Sequence, residues 1–110
     1  MTSEHLTAIL AERVMGWTVG PDRFQMGNRS WLPRGRFRPT ERMQDAFRVL
    51  LAAEPSEYTM RGGNGKSSWA KVRIDGPSGE ASASSMPTAV CLAIARAIGI
   101  AVEGVEANAV

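Results

Sequence analysis

The side chains best equipped to bind a ligand are concentrated in one stretch, "RFQMGNRSWLPRGRFRP", where five arginines are interleaved with Trp31 and Phe37. A guanidinium is a planar, permanently charged fork that pairs bidentately with phosphate or carboxylate and stacks on aromatic faces. A tryptophan beside it can stack on a nucleobase, an interaction of about 1–3 kcal/mol per base. Arg29, Trp31, Arg34, Arg36 and Arg38 are therefore the candidate contacts, for an anionic, nucleotide-like molecule. A smaller group of the same character, Arg61, Lys66 and Trp69, joins them if the two hairpins lie close. The competing reading is a solvated basic loop with Trp31 and Phe37 tucked into the core. For Trp69, Lys71 and Arg73 it is a strand face packed under a helix, the cations reaching past it to water.

Other chemistry is poorly represented. Gly65-Lys66-Ser67 copies the end of a phosphate-loop motif, but Met60 stands where its first glycine belongs. The segment also leads into a strand, whereas a phosphate loop opens a helix so that amides and dipole face the phosphates. His5 is the only histidine and Cys91 the only cysteine, and neither has a sequence partner that would form a catalytic triad or a metal set. The carboxylates are scattered, with no evident acid–base pair. No metal, cofactor or catalytic residue is implied, and a non-catalytic binding protein is expected.

Net charge is only +2, yet residues 23–48 carry seven arginines against Glu41 and Asp45, a local excess of +5 that leaves −3 elsewhere. Such a surface draws in an anionic partner. One cysteine excludes an internal disulfide and suits a reducing, cytoplasmic setting. "MTSEHLTAIL" lacks the basic and apolar regions of a signal peptide, and "AVCLAIARAIGIAV" is too short and too polar to span a bilayer. With 110 residues, a single domain over 1–105 and a frayed tail at 106–110 are expected.

These side chains need elements to position them. Residues 3–15 are predicted as a helix with Leu6, Ile9, Leu10 and Val14 on one stripe and Ser3 as cap. Gly16 then closes the helix in the left-handed conformation, and Trp17 folds back as a hydrophobic plug. "RFQM" and "SWLP" flank Gly27-Asn28 as a hairpin over 23–33, and "RGRFRP" reads as a loop. Thr40 is the expected cap of a second helix, with Glu41 in its first turn. Met43, Ala46, Phe47, Leu50 and Leu51 mark its buried face, and Pro55 ends it. "EYTMR" and "SSWAKVRID" are predicted as paired strands joined by "GGNGK", with Ala70, Val72 and Ile74 on one face. "EASAS" supplies a last strand with small residues inward. The third helix, Pro87 to Ile98, is apolar nearly all round and needs cover from the sheet and from another helix or a second subunit. A symmetric dimer is the expected assembly.

The order of these pieces resembles the phage ABA-sandwich domain, a family of small phage- and prophage-encoded proteins. The likeness rests on "LAERVMGW" closing the first helix, "SWLP" leading to the second and "SSWAKVRI" as the tryptophan-bearing strand. "EASASSMPTAVCLAIARAIGI" matches as the closing small-residue strand and alanine-rich helix. It spans most of residues 6–100, and "RGRFRP" departs from it by its wealth of arginine. The resemblance implies an α+β, α-β-α layered fold with a mainly antiparallel sheet and three helices, and no catalytic residues. A phage setting implies a small accessory protein acting in the host cytoplasm, such as a counter-defence factor that sequesters a nucleotide-like signal or inhibits a host defence protein. Nucleic-acid binding and nucleotide degradation are the alternatives. Low overall charge and the absence of a recognition motif speak against the first.

Overall fold

Helix α1, Ser3–Arg13, opens with Thr2 as its cap, whose hydroxyl accepts the His5 N–H at 3.1 Å. Ser3, the expected cap, is instead the first helical residue, because the capping hydroxyl must reach an amide three residues on. Gly16 adopts φ 73°, and the Trp17 N–H donates to the Ala11 carbonyl at 2.9 Å, closing the helix as the sequence predicts. The computed structural model describes residues 2–27, 30–62 and 67–100, so Asn28, the expected turn at 63–66, and residues 101–110 with the expected tail lie outside the described residues.

Three short strands follow, β1 (Thr18–Val19), β2 (Arg23–Gln25) and β3 (Trp31–Pro33), paired as an antiparallel meander. β1 has too few residues to show an alternating pattern, and the sequence reading missed it. The "RGRFRP" segment contains a 3-10 turn at Arg34–Arg36 rather than a featureless loop. Helix α2 spans Met43–Ala52. Thr40 does not cap it: residues 39–41 form a turn, and buried Thr40 accepts the Thr88 hydroxyl on its carbonyl at 2.8 Å. The buried face of α2 is also rotated from the expected one. Asp45, Ala46, Val49 and Leu50 point inward, whereas Phe47 and Leu51 are 39% and 66% exposed.

The second sheet runs β4 (Glu57–Gly62), β5 (Ser68–Arg73), β6 (Ser78–Ala83), antiparallel throughout. Ala70, Val72, Ala81 and Ala83 share its inner face and are buried, as the alternation predicts, and Gly79 joins them because β6 begins at Ser78, earlier than expected. Helix α3, Met86–Ala97, with Pro87 in its first turn, packs on β5 and β6 and also on α2 and α1. Every residue from Thr88 to Ala95 is buried, so the chain itself supplies the cover that this greasy helix needs. At Gly79, β6 and α3 are in close contact. A Cβ there would overlap the Ala93 carbonyl oxygen and the Ala97 amide nitrogen. The whole is an α+β fold of three helices with two antiparallel sheets around them, consistent with an α-β-α sandwich. The strands divide into two sheets instead of forming one. The first set is only two or three residues long, and its last strand ends in Pro33, which has no N–H to extend a ladder.

Candidate ligand-binding cleft

Trp17, Phe24 and Phe37 form a buried aromatic cluster with ring centroids 5.0–5.9 Å apart. Phe37 anchors the basic segment to it. The Arg34 N–H donates to the Asp22 carbonyl, and the Phe37 N–H to the Arg34 carbonyl. The Arg38 backbone is held from both sides. Its N–H donates to Asp45 Oδ2 at 2.9 Å, and its carbonyl accepts the Glu41 and Arg42 amides at 3.0 and 2.8 Å. This is why an acidic residue occupies a buried position of α2. A flexible-looking arginine run is thereby fixed in place.

Two of these arginines face a cleft of about 580 Å³. Its lining includes Arg34 and Arg38, Ser3, Glu4 and Thr7 from the start of α1, and buried Phe24 and Phe37. Arg34 donates from Nη1 to the Gly20 carbonyl at 3.0 Å and lies 5.3 Å from the Phe24 ring, so it both lids the aromatic core and lines the cleft. Arg38 pairs with Glu41 at 3.2 Å, both half-exposed. Asp22 also lines the cleft, so three carboxylates accompany the two guanidiniums. The lining is bipolar rather than uniformly basic.

Trp31 lies outside this cleft, 51% exposed, with the Arg23 guanidinium 4.8 Å from its ring centroid. Asp22, Arg23, Trp31 and Pro33 line a shallower hollow that shares Asp22 with the cleft. Of the three aromatics of the basic stretch, Phe24 and Phe37 thus go to the core and Trp31 to the surface. Arg36 is exposed on the 3-10 turn and lines neither hollow. Arg61 and Trp69 come together, 5.5 Å apart, but on the second sheet, and neither lines either hollow. Arg29 and Lys66 lie outside the described residues. The sequence reading missed Glu4, Asp22 and Phe24 as cleft residues, and Arg23 as the partner of Trp31. The Arg23–Trp31 pair was detectable in principle, since β2–β3 pairing makes them diagonal cross-strand neighbours.

Among the described residues, no group of three or more His, Cys, Asp or Glu could hold a metal ion. Cys91 is fully buried. Its thiol is pushed well above its ordinary range by burial and, secondarily, by the Asp45 charge, which makes it a poor nucleophile. No helix among the described residues is long and apolar enough to cross a membrane.

Fold and cleft together define a small α+β domain with a hollow lined by both guanidiniums and carboxylates. The family model of the Phage ABA sandwich domain matches residues 8–94, and the chain belongs to that family. Its fold is similar to that of a phage protein from Bacillus cereus ATCC 14579 solved at 2.0 Å. The TM-score is 0.77 over 94% of this chain and 93% of that one, at 16% sequence identity. No curated protein matches the sequence.

Proposed function

We propose that this phage ABA-sandwich protein is a non-catalytic accessory binding protein that sequesters a small anionic, nucleotide-like signal in the host cytoplasm, as a counter-defence factor. The observation that supports this reading is the convergence of Arg34 and Arg38 on one cleft. Its volume falls within the roughly 300–1,000 Å³ typical of small-molecule sites. Guanidiniums there bind phosphate oxygens, while Glu4 and Asp22 accept hydrogen bonds from ribose hydroxyls or a base amino group. This mixture suits a nucleotide better than a bare anion. Exposed Trp31, next to the cleft through Asp22, offers a stacking face, and Arg36 adds to the positive field.

Calorimetric titration with cyclic and ADP-ribose-type nucleotides tests the reading. Saturable binding, with the nucleotide recovered intact after denaturation, supports sequestration. A chemically altered nucleotide would show an enzyme instead. No binding by any of them removes the nucleotide reading and leaves inhibition of a host defence protein to be tested by copurification.

A second reading rests on the outer face of the second sheet. There half-buried Trp69 lies beside Arg61 and Lys71, a combination that suits single-stranded nucleic acid. A gel shift that fades as salt is added favours it, and no shift at low salt discards it.

A further inference from the structure

We infer that the protein dimerises by pairing β4 with β4 of a second copy, antiparallel about Thr59. Among the described residues, strand β4 is an edge strand that pairs with β5 alone, so alternate backbone N–H and C=O groups face outward. It is six residues long and contains neither proline nor lysine, two residues with which edges are commonly blunted. None of its side chains is buried. Tyr58 and Met60 lie opposite Val72 and Ala70 and so share the inner face of the sheet. Yet α3 is centred on β5 and β6 and scarcely reaches β4. Tyr58 is consequently 49% exposed at the margin of the core.

Symmetry narrows the register. Paired residues must point to the same face, so a two-fold axis perpendicular to the sheet has to pass through a residue. An axis at Tyr58 leaves Arg61 without a partner inside β4, and an axis at Met60 does the same to Glu57. Only the axis at Thr59 places Glu57 opposite Arg61 of the second copy, twice over, and Tyr58 opposite Met60, twice over. Opposite charges and apolar pairs in register are the contacts that stabilise antiparallel strands. The strand is self-complementary in that one alignment.

Thr59 is exposed, so its replacement leaves the core untouched. Directly opposed residues of antiparallel strands have Cα atoms about 4.5–5.5 Å apart, within disulfide reach. Under mild oxidant, Thr59→Cys is expected to give a covalent dimer on a non-reducing gel. Tyr58→Cys, whose opposite residue is Met60, is expected to stay monomeric, and buried Cys91 does not compete. Wild-type protein is expected to sediment at twice 11.9 kDa at high concentration. Arg61→Glu should weaken the dimer by about tenfold, and adding Glu57→Arg with Arg73→Glu, which keeps the 3.4 Å pairing of Glu57 with Arg73 in swapped form, should restore it. A wild type that stays at 11.9 kDa at every concentration overturns the inference. So does cross-linking of Tyr58→Cys as fast as Thr59→Cys, or failure of the charge swap to rescue.

Discussion

Replacing Gly79 with alanine sets chain entropy against packing, and the two predict opposite signs. The backbone of Gly79 is not in the left-handed region, so alanine can adopt it, and a less flexible unfolded chain would favour the variant by about 0.4–1 kcal/mol. The packing says otherwise. The new Cβ would overlap the Ala93 carbonyl oxygen and the Ala97 amide nitrogen and lie 2.8 Å from Arg96 Cβ. Two of these three obstacles are helix backbone, which cannot rotate away. Ordinary contact distances of about 3.5–4.0 Å require β6 and α3 to part by on the order of 1 Å, which forfeits a quarter to a half of each contact energy along that interface. Ala81 and Ala83, buried on the same strand face, lose their packing with it. Overpacking costs about 1–3 kcal/mol, and backbone obstruction places this site at the top of that range. After the entropic gain, about 2–3 kcal/mol of destabilisation remains, which for a domain of this size lowers Tm by roughly 10–15 °C. Thermal unfolding followed by circular dichroism measures it, with exposed Ser78→Ala as the control. A Tm for Gly79→Ala that is unchanged or raised would refute the close-approach argument.

Asp45→Ala removes the acceptor for the Arg38 N–H and is expected to cost about 1–3 kcal/mol in urea unfolding. Because that bond also sets the position of Arg38, nucleotide affinity should fall with it. Trp31→Ala should change stability by less than about 0.5 kcal/mol, since the ring is on the surface, yet weaken nucleotide binding by about tenfold in titration. Stability should decline in alkaline solution through Cys91. The folded thiol stays protonated while the unfolded one ionises near its ordinary value of 9.0, so the folded state holds the extra proton. Unfolding free energy should then fall by about 1.4 kcal/mol per pH unit above roughly pH 9. Cys91→Ala should show a slope shallower by that amount in denaturant titrations at pH 8, 9 and 10, and parallel slopes would refute the assignment.

The fold was largely legible where one chemical pattern decides structure. Gly16 before Trp17 marks a helix end, the alternation of Ala70 and Val72 marks a strand face, and the apolar girth of α3 demands cover on several sides. The sequence reading failed where tertiary contacts outrank pattern. In α2, apolar Phe47 and Leu51 looked like core, but the helix turns Asp45 inward because that carboxylate holds Arg38. Trp31 depended on a single residue of register. A two-residue turn at Gly27-Asn28 would set Trp31 opposite Phe24 and bury it, whereas the observed pairing of Gln25 with Trp31 sends it to the outer face. The candidate cleft was half legible. Arg34 and Arg38 stand out by charge, but Glu4 joins them only from the start of α1, distant in sequence, and Asp22 only because its carbonyl accepts the Arg34 N–H.

The most direct measurement of the central claim is a calorimetric comparison of wild type and Arg38→Ala against cyclic and ADP-ribose-type nucleotides. The fold uses the Arg38 backbone, while among the described residues its side chain pairs with half-exposed Glu41 alone, so the substitution should leave Tm nearly unchanged. The predicted result is saturable binding of one nucleotide per chain, weakened by about tenfold or more in the variant. Equal affinity in the two proteins, or no binding to either, would contradict the proposed cleft.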